Sequence, residues 1–202
     1  MTVQEITTKV RAIMNEAGAE ETFSLLSEDT VKLSEYIENV IPDACNLVLS
    51  VAPVRYINTK SASPQSTIVG GSTLIPLPED FSRLAFVQLA TWVRAVTEVL
   101  NINTEEYKVA KNQFTKPGVN KPLCFFSYKG TDEALECMPS GTISQFIYVP
   151  TISTKEEAVT TIKQELFLPV CYMVASLVYN IFENQPMSNN MKAVVMELLK
   201  QL

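Results

Sequence analysis

The stretch LPEDFSRLAFVQLATW, residues 77–92, decides how the middle of this chain folds. Its proline, Pro78, fixes the backbone, and Asp80 can accept hydrogen bonds from nearby amides as an Asx turn or a helix N-cap. Phe81 and Leu84 then offer large apolar side chains to a core. These residues predict a structural corner in which Phe81 and Leu84 are buried.

The segments around this corner predict a small β subdomain. Leu84 to Val96 fits the period of a strand and that of an amphipathic helix, so periodicity leaves both open. Thr67 to Ile75 passes through Gly70-Gly71, which indicates a two-residue β-hairpin. The polar segment Val54 to Ser66 is predicted to be an exposed contact arm that orders only on assembly. Three short runs separated by glycine and proline turns predict a three-stranded meander: Leu123 to Tyr128, Ala134 to Met138 and Ile143 to Val149.

Helices are predicted before the β subdomain. The first runs from about Val3 to Ala17 behind a capping box of Thr2 and Glu5. The second runs from near Ser27 to Val51, and Pro42 should kink it or mark a fresh start because proline removes an internal hydrogen bond.

Helices are also predicted after the β subdomain. Thr154 and Glu157 form a second capping box, which opens a helix expected to run toward Asn184, and a last amphipathic helix follows to the C-terminus. The residues from Leu166 to Phe182 carry no charge. This run is short for a membrane span and contains Pro, Tyr, Ser and Asn, so it predicts a helix covered by its neighbours or by another subunit.

These elements together predict a fold of the α+β class. The fold is expected to be mainly helical, with N-terminal helices, long C-terminal helices and a small antiparallel β subdomain between them. The predicted division places N-terminal helices in residues 1–53 and the arm with the β-rich subdomain in 54–150. Residues 151–202 are expected to complete one helical core with 1–53.

The composition excludes most catalytic chemistry. The chain has no histidine, which removes the usual general base, the usual zinc ligand and every Ser-His or Cys-His pair. Its four cysteines show no CxxC spacing and are expected to be reduced and buried. Gly70-Gly71-Ser72 is not part of a phosphate-binding loop motif. The sequence therefore predicts a protein that is not an enzyme and has no metal or cofactor.

Charge is unevenly distributed along the chain. The net charge is −6, which argues against a general nucleic-acid binder. Eight acidic residues and one lysine lie between Glu16 and Asp43, whereas Tyr107 to Thr131 holds five lysines and no acidic residue. Two interpretations stay open: two solvated faces, or complementary patches that meet between subunits. If the patches meet between subunits, changing Lys108, Lys111 and Lys116 to Glu should slow the assembly of the subunits.

The corner also carries a family resemblance. Residues 77–84, followed by Val87, Leu89 and Trp92, resemble the "LPxDFxRL, then V-x-L and W" segment of head-to-tail connector proteins, the podovirus-type adaptor or ring proteins of tailed bacteriophages. A later part is similar to the family's order of an "N-x-P" strand, a strand ending in Pro and a strand ending in "IY": Asn120 to Tyr128, Leu135 to Pro139 and Phe146 to Pro150. The resemblance covers roughly residues 77–190. Relatives carry more arginine around the tryptophan, where only Arg94 follows here.

The resemblance implies a structural virion protein at the head-to-tail junction, made in the cytoplasm of the host bacterium. It implies a ring of identical subunits, commonly twelve, between the portal protein and the next tail or ring protein. Double-stranded DNA would pass through the lumen without sequence-specific binding, and no membrane is involved. The absence of histidine and the Thr/Asn/Lys-rich style point to a crAss-like or similar gut phage. The alternative is another virion or assembly component, such as a tail-completion or capsid-associated protein.

The candidate assembly or structural residues come from the corner motif, the tryptophan segment and the basic stretch. They are Pro78, Asp80, Phe81, Arg83, Leu84, Trp92, Arg94, Lys108, Lys111, Lys116 and Lys121.

Overall fold

The structure is a computed structural model that describes residues 2–14 and 27–202, with side chains described from residue 33 onward in the second segment. The chain divides into two compact units. The helical unit comprises Met1–Asn58 and Thr151–Leu202, and the β unit comprises Thr59–Pro150.

The helical unit contains five α-helices among its described residues. They are α1 (Val3–Ile13), α2 (Ser27–Val51), α4 (Lys155–Thr161), α5 (Phe167–Ile181) and α6 (Gln185–Lys200). Helix α3 (Glu105–Lys111) belongs to the β unit. Both predicted capping boxes form: Thr2 accepts from the backbone N–H of Glu5, and Thr154 from that of Glu157. Pro42 lies inside α2. The predicted end of the first helix, at Ala17, lies outside the described residues.

Helix α5 is the centre of the helical unit and packs against α1, α2 and α6. Its covered positions follow the apolar sequence, with Val170, Val174 and Val178 fully buried. Ser176 is also buried, and its hydroxyl lies 2.9 Å from that of Ser188 on α6. The 18-residue window Gln164–Ile181 is long and apolar enough to cross a membrane by length and composition, and half of it is buried in the structure. Core helices of soluble proteins have the same properties.

The long C-terminal helix predicted from Thr154 to Asn184 is wrong as one helix. It is two helices, because the backbone is extended at Ile162, where it makes an antiparallel bridge with Ile57. A 3-10 turn at Gln164–Leu166 then leads into α5. The last helix predicted is confirmed as α6, which begins at Gln185 with Pro186 in its first turn, where the side chain of Asn184 accepts a hydrogen bond from the N–H of Met187.

The β unit contains two sheets and one helix, α3 (Glu105–Lys111). The strands are β1 (Lys60–Ser61), β2 (Thr67–Val69), β3 (Ser72–Pro76), β4 (Phe81–Leu89), β5 (Leu100–Asn101), β6 (Leu123–Lys129), β7 (Asp132–Met138) and β8 (Ile143–Pro150). The three-stranded sheet has the order β1-β8-β4, and the five-stranded sheet has the order β2-β3-β7-β6-β5.

The predicted hairpin at Gly70-Gly71 is confirmed as β2–β3, with Val69 opposite Ser72. Both glycines have positive φ, 59° and 86°, which the two central residues of a type I′ turn require. The ambiguous segment after the corner is also resolved. Residues 81–89 form strand β4, and Trp92 lies in the turn that follows.

The predicted three-stranded meander is wrong in its last strand. Strands β6 and β7 pair in register from Leu123 opposite Met138 to Lys129 opposite Asp132. Strand β8 leaves that sheet and pairs with β4 and β1 in the other one. The two sheets then pack face to face, because one buried cluster takes side chains from both, such as Ile75 and Leu135 from the first and Leu84 and Phe146 from the second.

The prediction of a mainly helical fold is therefore wrong, although the α+β class holds. The described residues form two sheets, of three and five strands, beside six α-helices, and the core is sheet-rich. The difference arises because strands β1, β4 and β8 are paired across long separations in sequence, such as Lys60 with Tyr148. Such pairings depend on which segments meet in space, and local periodicity carries no information about that.

Candidate functional site

The corner at residues 77–81 forms the entry to β4. The N–H of Phe81 donates to the carbonyl of Pro78 at 3.0 Å, closing a turn, and the strand begins at Phe81. Leu84 is buried as predicted, whereas Phe81 is only half-buried. The Phe81 ring stacks on the rings of Phe146 and Tyr148, with centroids 6.3 and 5.9 Å away. It thus closes one end of the core.

Asp80 links this corner to the predicted arm. Its carboxylate accepts hydrogen bonds from Lys60 at 2.6 Å and from the Tyr148 hydroxyl at 2.7 Å. The hydrogen bond from Lys60 lowers the pKa of Asp80 against the opposing effect of burial. Burial and the bond to Asp80 raise the pKa of Tyr148 to about 12.

The arm is therefore not a free loop along its whole length. Lys60–Ser61 form strand β1 on β8, and the N–H of Ala62 donates to the carbonyl of Phe146 at 3.0 Å. The exposed, unpaired part is shorter than predicted and lies at residues 63–66. Residues 60–62 of the predicted arm thus have backbone partners in the same chain, and ordering of the arm on assembly stays a prediction.

Replacing Lys60 by methionine tests this link. We expect the pKa of Asp80 to rise toward its ordinary value and the amide of Ala62 to exchange faster, because the side-chain anchor of the arm is lost. The loss of stability should be about 0.5–1 kcal/mol, since the pair is partly exposed. It should disappear as the pH falls through the lowered pKa of Asp80, because the stability that a lowered pKa gives is complete above the unfolded value and is lost as the pH falls through the folded value. NMR titration and hydrogen exchange measure both effects, and an unchanged Ala62 exchange rate contradicts the link.

Trp92 is a structural residue of the β unit. It is 4% exposed, and its indole Nε1–H donates to the carbonyl of Pro139 at 2.8 Å. The bond ties the turn after β4 to the segment between β7 and β8. Arg83 is half-buried in β4, where burial lowers the pKa of its guanidinium, and Arg94 is exposed in the turn.

Lys111 belongs to a polar cluster that joins α3 to β7 of the five-stranded sheet. Its Nζ lies 2.5 Å from a carboxylate oxygen of Glu136, which is 5% exposed, and the Tyr107 hydroxyl donates to the other oxygen at 2.9 Å. Burial opposes ionisation of Glu136, but the hydrogen bonds from Lys111, Ser72 and Tyr107 outweigh it, so the pKa of Glu136 is lowered. The cluster fixes α3 on the sheet. Sequence reasoning missed Glu136, because its position in a strand indicates a solvated charge as readily as a buried one.

Three of the five lysines in the predicted basic stretch already have a side-chain partner in the same chain. Lys111 is occupied by Glu136, Lys108 pairs with Glu105 on its own helix at 2.8 Å, and Lys129 donates to Thr67. Within the described part of the chain, Lys116 and Lys121 have no carboxylate within 4 Å. In the acidic stretch, Glu38 pairs with Lys155 at 2.5 Å, whereas Glu16, Glu20 and Glu21, with the side chains of Glu28 and Asp29, lie outside the described residues.

The two available lysines lie in the loop after α3, which also carries exposed apolar side chains. We define the loop surface as Val93, Arg94, Phe114, Lys116, Val119 and Lys121. The exposed fractions are 89% for Phe114, 69% for Val93 and 41% for Val119. The N–H of Val93 donates to the carbonyl of Val119 at 3.0 Å, which joins the turn after β4 to the loop after α3. The sequence offered one sign of this surface, a phenylalanine between polar residues and two positions before Lys116-Pro117-Gly118.

Helix α2 carries a second exposed face with acidic and apolar residues. We call it the α2 face: Glu35, Tyr36, Asn39, Asp43 and Leu47. Tyr36 and Leu47 are 41% and 45% exposed. Residues 36, 39, 43 and 47 are three or four apart, so they lie on one side of the helix. The opposite side, with Ile37, Ile41 and Val48, is fully buried.

The described residues contain no group of three or more His, Cys, Asp or Glu placed to hold a metal ion. The four cysteines are all buried, as predicted. Burial raises the pKa of Cys45 and of Cys171 to about 12, which keeps both thiols protonated and unreactive. The candidate functional features are therefore the two exposed surfaces, the loop surface and the α2 face, and not the titratable groups.

Comparison with known proteins gives the family. A search of curated proteins found no match. The family model described as SU10 adaptor protein matches residues 1–198, which includes the corner and strands on which the resemblance to phage adaptor proteins depends. The match does not test the prediction of a crAss-like phage, which stays a prediction. The match covers nearly the whole chain, which therefore belongs to the SU10 adaptor protein family, a family of phage adaptor proteins.

Proposed function

We propose that this adaptor protein is a non-enzymatic ring subunit of the head-to-tail connector. The ring, commonly of twelve copies, binds the portal protein on one side and the next tail or ring protein on the other. It is made in the cytoplasm of the host bacterium and functions in the virion. The observation that carries this proposal is the family match along residues 1–198.

The surface of the chain supports a ring. A closed ring needs two different faces that fit one another, since each subunit uses one face toward each neighbour. The loop surface is basic and apolar, and the α2 face is acidic and apolar, so one chain carries a complementary pair. A face that binds only its own equivalent would give a dimer.

The charge of the chain supports a passive DNA conduit. Its net charge of −6 gives a lumen little overall attraction for phosphates, so double-stranded DNA would pass without being held. The complete absence of histidine supports a structural role, because the commonest general base is missing. We propose no cofactor and no membrane contact.

Native mass spectrometry of the purified protein, alone and with the portal protein of the same phage, tests the proposal. We expect one oligomer with a fixed number of subunits, which forms either spontaneously or on addition of the portal protein. Negative-stain electron microscopy should show ring-shaped particles. A protein that stays monomeric in both conditions contradicts the ring. Binding to capsid protein without binding to portal would favour a capsid-associated role instead.

A further inference from the structure

We propose that the loop surface of one subunit docks on the α2 face of a second copy of this chain. The inference rests on the proposed ring and names the residues at its repeated contact. Phe114 is the central apolar residue on the loop side and packs on Leu47 of the helix side, whereas Tyr36, about 16 Å along α2, receives the other apolar side chains of the loop surface. Lys116, Lys121 and Arg94 face the carboxylates of Asp43 and Glu35.

The first step of the argument is that Phe114 has no place in its own core. Its side chain is 89% exposed, more than any other large apolar residue among those described. A single exposed apolar side chain is ordinary, but here Val119 lies in the same loop, Val93 is hydrogen-bonded to Val119, and both valines are also exposed. Aromatic side chains of this kind are the residues that dominate protein interfaces when they become buried.

The second step is that the backbone of the loop at Phe114 is held in place before any partner arrives. Its N–H donates to the side chain of Asn112 at 2.9 Å, and the Thr115 hydroxyl donates to the carbonyl of Val109 at 2.7 Å. At the other end of the loop the N–H of Lys121 donates to the carbonyl of Gly118 at 3.0 Å. A loop with internal hydrogen bonds loses less entropy on binding than a free one, which suits it to a permanent contact.

The third step concerns charge, which selects the occupant. The helical unit contains eight Lys and Arg residues and fourteen Asp and Glu residues, a net charge of −6, whereas the β unit contains eight of each and is neutral. The loop surface has three basic residues and no acidic one. Its natural counterpart is therefore an acidic surface with exposed apolar groups, and the α2 face of another copy has both properties.

The fourth step is geometric. Tyr36 and Leu47 are eleven residues apart on α2, about three helical turns, so they lie on one line with Asp43 between them. On one side of α2, two apolar side chains and the carboxylate of Asp43 can therefore contact the apolar and basic side chains of the loop surface. Because the two faces differ, each copy uses both, and the contact repeats from one copy to the next around a ring.

Cross-linking between two variants, each with one added cysteine, tests the contact. Phe114→Cys protein with an affinity tag is mixed with untagged Leu47→Cys protein under assembly conditions and treated with a short bismaleimide. We expect a covalent pair with one copy of each variant, and no pair between two copies of the same variant. The native cysteines are buried and give little background. Met196→Cys replaces Leu47→Cys as the matched control, because Met196 is also exposed, at 48%, but lies on α6. Equal cross-linking to Met196→Cys, or none to Leu47→Cys, overturns the contact.

Assembly of charge variants gives a second measurement. Phe114→Asp and Leu47→Asp should each raise the concentration needed for half-assembly at least about tenfold, and Met196→Asp should leave it unchanged. Lys116→Glu with Lys121→Glu should slow assembly at low salt, and this pair avoids Lys111, which supports Glu136. If wild-type rings form and the Phe114→Asp and Leu47→Asp rings form equally well, the contact is wrong and the proposed function stands. If the wild type never assembles, the proposed function fails and the contact with it.

Discussion

Replacing Trp92 by alanine is expected to lower the free energy of unfolding by about 3–5 kcal/mol. The indole is 4% exposed and belongs to the cluster between the two sheets, so its removal leaves a cavity that the surrounding strands fill only in part. It also leaves the carbonyl of Pro139 without its donor. Chemical denaturation of the wild type and the variant, followed by far-ultraviolet circular dichroism, measures the difference.

Two control variants separate the parts of this effect. Trp92→Phe retains most of the apolar volume and loses the hydrogen bond to Pro139, so it should cost about 1–2 kcal/mol. Val93→Ala changes the neighbouring residue, which is 69% exposed, and should cost less than about 0.5 kcal/mol. If Trp92→Ala is as stable as Val93→Ala, Trp92 is not part of the core, and its place in the resembling segment would need another explanation.

Replacing Lys111 by methionine is expected to cost about 2–3 kcal/mol at neutral pH. The change retains the length of the apolar stem and removes the charge that lies 2.5 Å from Glu136. The carboxylate of Glu136 is nearly buried and would keep only the hydrogen bonds from Tyr107 and Ser72. Lys108→Met is the matched control on the same helix. Its partner Glu105 is exposed, so this variant should cost less than about 0.5 kcal/mol.

The pH dependence of the Lys111→Met variant distinguishes lost charge pairing from lost packing. In the wild type the pKa of Glu136 lies below its ordinary value of 4.5, so its contribution to stability is complete above that value and is lost as the pH falls through the lowered pKa. In the variant, burial dominates and raises the pKa of Glu136, which makes ionisation unfavourable in the folded state. The difference in stability should therefore be greatest near pH 7 and shrink below about pH 4. A difference independent of pH would show that the lysine acts through its stem alone.

Local sequence features predicted the local structure of this protein well. The capping boxes of Thr2 and Thr154 and the turn at Gly70-Gly71 form as predicted, because each depends on residues within a few positions of one another. Leu84 is buried as the corner motif predicts. The family could also be predicted, since the order and spacing of short segments from residue 77 onward carry the resemblance that the family match confirms.

The tertiary structure decided what depends on distant residues. The sequence could not show that β8 leaves its neighbours in the chain to pair with β4 and β1, or that Ile162 bridges Ile57 and interrupts a helix. Local periodicity fixes the type of an element, but its partner is fixed by which apolar faces meet in space. For the same reason, only the structure showed that Lys111 is paired with Glu136 whereas Lys116 is available, and that Phe114 is exposed. The sequence gives the charge of a residue but does not identify the residue that pairs with it.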